Sequence, residues 1–120
     1  WSEMDIYNAT QTIKAFATGV FPGHWLEMSK SRLYDGDHGA TWTIHRIVRD
    51  LLISFSPVCP FFTDYLSTTL YGDSAVDATS FPLQVISSEI DTDAYLQLTD
   101  LWIDFNSSTW KIKKEQGLSL

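Results

Sequence analysis

The chain has 120 residues, of which 44% are hydrophobic and 14% aromatic, and its formal net charge is −7. This length and apolar content predict one domain with a buried core, and no apolar run approaches the ~20 residues that a transmembrane helix needs. The first residues lack the basic start of a signal peptide, and the single cysteine, Cys59, cannot form an internal disulfide. We therefore expect a cytoplasmic protein without membrane contact, with Cys59 as a small core residue between two prolines.

The charges are unevenly distributed along the chain. Residues 1–49 hold five basic and five acidic side chains, residues 50–110 hold nine acidic side chains and no Lys or Arg, and residues 111–120 hold three lysines and one glutamate. The acidic segment would repel a nucleic acid, so we expect it to face solvent or a neighbouring protein domain. Contacts with phosphates would have to come from the first third of the chain or from its C-terminal tail.

Two helices are predicted before residue 35. Residues 5–20 carry apolar side chains at spacings of three and four: Ile6, Ala9, Ile13, Phe16 and Val20. Gly19, Pro22 and Gly23 predict a break or kink between this helix and a second helix over residues 21–34, where Pro22 would fit the first turn. A third helix over residues 40–55 has the clearest buried face: Ile44, Ile47, Val48, Leu51, Leu52 and Phe55.

Two further helices follow. Pro57 and Pro60 end the third helix, and residues 61–70 predict a fourth, which Gly72 would close in a left-handed conformation. Residues 73–90 predict an extended linker. The last helix is expected over residues 93–114, ended by Gly117, with an apolar stripe made by Leu98, Leu101, Trp102, Phe105, Thr109 and Ile112.

Side chains that can accept hydrogen bonds from free helix amides indicate where these helices begin. Asp5 or Asn8 is predicted to cap the first helix, Thr41 or Thr43 the third, and Thr92 the last.

Three sequence blocks, at residues 26–34, 51–72 and 110–120, resemble the helical anticodon-binding domain of the class I aminoacyl-tRNA synthetases for branched aliphatic amino acids. The third block is most similar to the archaeal-type valine enzymes. The resemblance implies an all-α bundle of about five helices and makes residues 1–120 a partial domain of a larger synthetase. It further implies that this piece binds the tRNA anticodon stem-loop without catalysis or cofactor, while the parent attaches valine to tRNA using ATP and Mg.

Two alternatives remain open at this point. One is the same module from an isoleucine or leucine enzyme. The other is a helical protein-interaction domain without RNA binding, which the acidic charge favours. The resemblance also implies that apolar surface of this piece lacks its packing partners, so we expect self-association through the first or last helix.

Anticodon loops are bound by stacking on aromatic or Arg planes and by hydrogen bonds to exposed base edges. Arg46 and Arg49 are the first candidates, because they lie one turn apart on the helix with the clearest buried face. The other candidate tRNA-binding side chains are cationic or aromatic: Lys30, Arg32, Trp110, Lys111, Lys113 and Lys114. The alternative for each is a solvated surface residue, and for Arg32 an ion pair with an acidic partner.

No catalytic constellation is predicted. Residues 28–31 match part of the Lys-Met-Ser-Lys-Ser signature of class I synthetases, but Glu27 replaces the first lysine and the match lies in a helical pattern. Three scattered histidines and one cysteine do not form a zinc site, so no metal is expected.

Overall fold

The computed structural model of the chain describes residues 5–77 and 92–117, with Thr92 described only in its backbone. All regular structure in these ranges is helical, which confirms the predicted all-α class. The chain divides into two compact units, residues 1–83 and 84–120. Of the extended linker predicted over residues 73–90, residues 73–77 form bends and a turn, and the rest lies outside the described residues.

The first unit begins with one continuous helical segment. It comprises α1 (Ile6–Ala15), a π-helical stretch (Phe16–Leu26) and α2 (Glu27–Tyr34), with right-handed helical dihedrals at both junctions. As predicted, Asp5 caps α1, because its carboxylate accepts a hydrogen bond from the backbone amide of Asn8 at 3.0 Å.

Of the break or kink predicted near Gly19, a break is wrong, because the helix continues through this region in π-helical form. Pro22 lies inside the π-helical stretch and not in the first turn of a new helix. In an α-helix a proline ring clashes with the carbonyl four residues earlier, and the wider π turn changes that spacing. The described residues thus form four helices, if residues 6–34 are counted as one, where about five were expected.

The next helix, α3 (His38–Phe55), starts two residues earlier than predicted. Asp37 caps it, accepting hydrogen bonds from the amides two and three residues later at 2.8 and 3.1 Å. The predicted caps Thr41 and Thr43 are wrong, because their hydroxyls donate instead to the carbonyls of Asp37 and Gly39. Both threonines lie inside the helix and are already helical, whereas Asp37 precedes its first residue and takes the extended conformation of a cap.

The position of α3 makes it central to the first unit, since it contacts α1, α2 and the following helix, α4 (Pro60–Tyr71). Leu52 is the only residue of its predicted apolar face that is fully buried, and the other five are half-buried. Ala40, at the start of α3, is buried as well.

The buried side of α4 is formed by small polar residues. Thr63 and Ser67 are only 1% and 2% exposed, whereas Phe62 and Leu70 lie more than half exposed on the surface. The Thr63 hydroxyl donates to the carbonyl of Cys59 at 3.0 Å, which satisfies it without a partner from another helix. Small side chains let two helices approach closely. We infer that α4 packs on α3 through the face that carries Thr63 and Ser67.

The two ends of α4 differ in how well the sequence predicted them. Gly72 ends the helix in the left-handed conformation, with φ +76° and its amide bonded to the Thr68 carbonyl at 3.0 Å, as expected. The expectation that Cys59 is buried is wrong: it directly precedes α4, in a non-helical conformation, and is exposed.

The second unit contains α5 (Thr92–Glu115), which agrees with the last predicted helix, and Gly117 follows it with φ +68°. Its apolar stripe is largely exposed, and the rings of Trp102 and Phe105 meet edge to face with centroids 5.9 Å apart.

Candidate nucleic-acid interface

Arg46 and Arg49 project from the middle of α3, one helical turn apart. The Arg46 Nε donates to both carboxylate oxygens of Asp50, at 3.0 and 2.9 Å, and both side chains are 34% exposed. The pair spans one turn of the same helix, so its formation needs no tertiary contact. Arg46 therefore retains a guanidinium edge toward solvent while Asp50 fixes its orientation.

Arg49 lies in a group of side chains that joins α3 to the end of α4. Its guanidinium forms an ion pair with Asp73 and lies 5.7 Å from the centroid of the Tyr71 ring. The Tyr71 hydroxyl donates to the backbone carbonyl of His45 at 3.3 Å and is equally close to the His45 Nδ1, and the two rings meet edge to face. Burial raises the pKa of Tyr71, and the positive charge of Arg49 opposes that shift. We call His45, Arg49, Tyr71 and Asp73 the Arg49 cluster.

The candidates on α2 are both engaged in ion pairs. Lys30 contacts Glu27, one turn earlier, at 2.6 Å, and this hydrogen bond raises the pKa of Lys30. Arg32 donates from its Nε to Asp37 at 2.8 Å, which confirms the acidic partner considered for it. The same hydrogen bond is the main cause that lowers the pKa of Asp37, followed by the amides that it caps.

The C-terminal candidates lie in the last turns of α5. Trp110 is half-buried, whereas Lys111, Lys113 and Lys114 are exposed and form no ion pair with any residue in the described ranges. Three cations near a helix C-terminus also complement the helix dipole. These lysines are thus available to an anionic ligand.

The structure therefore brings Arg46 and Arg49 together on α3 and links Arg32 to the start of α3 through Asp37. The three lysines and Trp110 belong to the second unit. Sequence reasoning did not find Tyr71 and Asp73 as partners of Arg49. Gly72 was the one available signal, because it predicted a turn between Tyr71 and Asp73. The left-handed conformation of Gly72 brings Asp73 within reach of Arg49 on α3.

Neither a metal site nor a catalytic loop is found in the part of the chain that the structure describes. His, Cys, Asp and Glu side chains nowhere gather in a group of three able to hold a metal ion there. Residues 28–31, which resemble part of the synthetase signature, lie within α2, as the sequence pattern indicated. In the same ranges, no helix combines the length and apolar character needed to cross a membrane.

The family is decided by comparison with known proteins. A family model described as the anticodon-binding domain of tRNA ligase matches residues 1–120. The chain belongs to this family. The cations on α2, α3 and α5 are therefore the cations of an anticodon-binding domain.

Several curated relatives of this anticodon-binding domain are named valine–tRNA ligase. The one from Aeropyrum pernix is 28% identical over 128 residues, and the one from Pyrobaculum aerophilum is 29% identical over 128 residues. Both alignments cover 100% of this chain, which spans only 15% and 16% of those proteins. An isoleucine–tRNA ligase from Cutibacterium acnes is 31% identical over 65 residues, which cover 49% of this chain and 6% of that protein. No solved structure matches the chain.

Proposed function

We propose that this anticodon-binding domain is the tRNA-binding module of a valine–tRNA ligase, which joins valine to tRNA using ATP in protein biosynthesis. The observation that carries the proposal is the match of the anticodon-binding family along residues 1–120. The valine–tRNA ligases that align with the whole chain support the choice of valine.

In this proposal the module selects the tRNA and performs no chemistry. The chain spans about one sixth of its valine-enzyme relatives, so the active site, with ATP and Mg, is assigned to the remainder of the parent synthetase. The module itself needs no cofactor, and the parent acts in the cytoplasm. The exposed apolar stripe of α5 would pack against that remainder, or against a second copy when the piece is alone.

The ligand in this proposal is the anticodon stem-loop, whose bases are splayed and whose phosphate backbone is bent. Arg46 and Arg49 on α3, with Lys30 and Arg32 on α2, would contact its phosphates and base edges. The ion pairs of these four side chains are partly exposed to solvent, where such pairs are weak, so a phosphate can replace the carboxylate at little cost. Trp110 with Lys111, Lys113 and Lys114 would provide the second group of contacts.

The net charge of −7 is unevenly distributed around the candidate cations: Arg46 and Arg49 are each paired with an aspartate, whereas Lys111, Lys113 and Lys114 form no ion pair with a described residue. Association with RNA depends on the local potential where the cations lie, since charges further apart than a Debye length of ~8–10 Å are screened.

One observation supports isoleucine in place of valine as the amino acid of the parent enzyme. The isoleucine–tRNA ligase of Cutibacterium acnes aligns with about half of this chain. An isoleucine enzyme would use the same module to select a different anticodon.

The test is a titration of labelled valine tRNA with the 120-residue chain at about 50 mM and about 200 mM salt, followed by fluorescence anisotropy. An RNA-binding module gives an affinity that falls as salt rises, with a slope set by the number of phosphates contacted. The matched control is the same tRNA with the anticodon of an isoleucine tRNA, which we expect to bind more weakly. Absence of binding at the lower salt concentration contradicts the proposal, and tighter binding of the control favours the isoleucine enzyme.

A further inference from the structure

The Arg49 cluster contains a cation that can bind phosphate, Arg49, and an anion that is paired with it, Asp73. Asp73 follows Gly72, whose left-handed conformation turns the chain away from α4 and toward α3. The Asp73 carboxylate meets the Arg49 guanidinium across 24 positions of sequence, and each side chain is 46% exposed. The ion pair thus lies at the surface, where a ligand can reach it.

A carboxylate and a phosphate both accept hydrogen bonds from a guanidinium, and Asp73 accepts one from the Nη2 of Arg49. The two anions therefore compete for the same edge of Arg49. A half-exposed ion pair is weak, so the exchange of Asp73 for a phosphate requires little free energy. Arg46 differs, because its partner Asp50 lies one turn away on the same helix and not in a separate segment.

The remaining members of the cluster hold Arg49 in position during such an exchange. The Tyr71 ring lies beside the guanidinium at 5.7 Å, a cation–π distance, and is itself held by the hydrogen bond from its hydroxyl to the His45 carbonyl. This contact does not depend on Asp73. Arg49 therefore keeps a neighbour that orients it when the carboxylate leaves.

We propose that Asp73 occupies, in the free chain, the edge of Arg49 that binds a tRNA phosphate, and that Asp73 thereby sets the affinity of the module. The proposal rests on the function proposed above. Asp73 is then a residue that tunes binding without touching the tRNA, and Tyr71 and His45 are positioning residues for Arg49.

The experiment compares tRNA affinity of the wild-type chain with Asp73→Asn, Arg49→Gln and the double variant at low salt. Loss of the competing carboxylate is expected to tighten binding by about two- to five-fold, the range of a weak ion pair. The same substitution in the Arg49→Gln chain is expected to change the affinity clearly less, because no guanidinium remains there to bind the phosphate. The midpoint of thermal unfolding is recorded for each chain, and Asp73→Ser replaces Asp73→Asn if the latter does not fold.

The matched control is Asp77→Asn, which removes the same charge four residues away, from a side chain without an ion pair in the described residues. Asp73→Glu, which keeps the carboxylate, is expected to stay close to the wild-type affinity. The proposal is overturned if Asp73→Asn leaves affinity unchanged, if Asp77→Asn matches its gain, or if the gain is equally large without Arg49. A wild-type chain that does not bind tRNA at all contradicts the proposed function, which distinguishes the two failures.

Discussion

The guanidinium of Arg32, near the end of α2, donates a hydrogen bond of 2.8 Å to the carboxylate of Asp37, and that carboxylate also caps α3. One side chain thus joins two consecutive helices and satisfies two amides that would otherwise lack partners. Backbone hydrogen bonds, such as that from the Asp37 amide to the Arg32 carbonyl at 2.9 Å, hold the same turn, and the carboxylate adds to them.

The first prediction concerns the stability of this turn. Replacement of Asp37 by Ala removes both the cap and the ion pair, so we expect the midpoint of thermal unfolding to fall by about 4–8 °C, as for loss of a helix cap in a small domain. Arg32→Gln removes only the ion pair and is expected to cause a smaller fall. Circular dichroism at 222 nm measures both, and equal effects of the two substitutions would contradict the dual role of Asp37.

The second prediction concerns the stability of the fold at acidic pH. The hydrogen bond from Arg32 and the capped amides lower the pKa of Asp37 below its ordinary value of 3.8. A lowered pKa in the folded state means that the stabilisation is fully present above pH ~4 and is lost as the pH falls through the lowered pKa. We expect the wild-type chain to lose more stability than Asp37→Asn between neutral pH and pH ~3, measured by urea unfolding. Asp5, whose pKa is lowered by the Asn8 amide, acts in the same direction and is common to both chains. Parallel losses in the two chains would argue against this contribution.

The third prediction concerns the packed side of α4. Ser67 is 2% exposed, so Ser67→Leu forces three additional carbon atoms into a filled contact and should cost about 1–3 kcal/mol of unfolding free energy. Thr68→Leu adds bulk at the next position, which is exposed, and serves as the control with an expected change of less than about 0.5 kcal/mol. Chemical denaturation of the two variants gives the comparison. An unchanged unfolding free energy in Ser67→Leu would mean that α4 does not pack through the face that carries Thr63 and Ser67.

The fourth prediction concerns the C-terminal lysines. Simultaneous replacement of Lys111, Lys113 and Lys114 by Gln should weaken tRNA binding and reduce the salt slope by about one for each lysine that contacts a phosphate. The control is Lys14→Gln, another exposed lysine without an ion pair in the described residues, for which we expect the wild-type slope. If the triple variant keeps the wild-type slope, these lysines do not contact the RNA.

The sequence predicted the helices well where periodicity alone decides them. The apolar pattern of α3 and α5, and Gly72 at the end of α4, correspond to elements found at those positions. The error in the first helices has a local cause, since Gly19, Pro22 and Gly23 are ordinary break signals. A sequence pattern does not distinguish a broken helix from one that continues with a wider turn.

Tertiary partners could not be predicted from the sequence. Asp50 lies within one turn of Arg46, so that pair was accessible to helix geometry, whereas Asp73 reaches Arg49 only because of the turn after α4. The exposed position of Cys59 has a similar origin, since a small apolar residue between two prolines suits either a core or a corner. The burial of Thr63 and Ser67 reversed the usual expectation that the more apolar side of a helix is its packed side.

The π-helical stretch at residues 16–26 has a consequence for the angular register of the whole helical segment. A π turn holds more residues than the 3.6 of an α-helix. The side chains of α2 therefore point in other directions about the helix axis than they would if residues 6–34 formed one unbroken α-helix. Deletion of a single residue there would turn α2 by about 100° about its axis. That rotation would carry α2, the turn at Asp37 and the start of α3 together, and would therefore disturb the contact between α3 and α1.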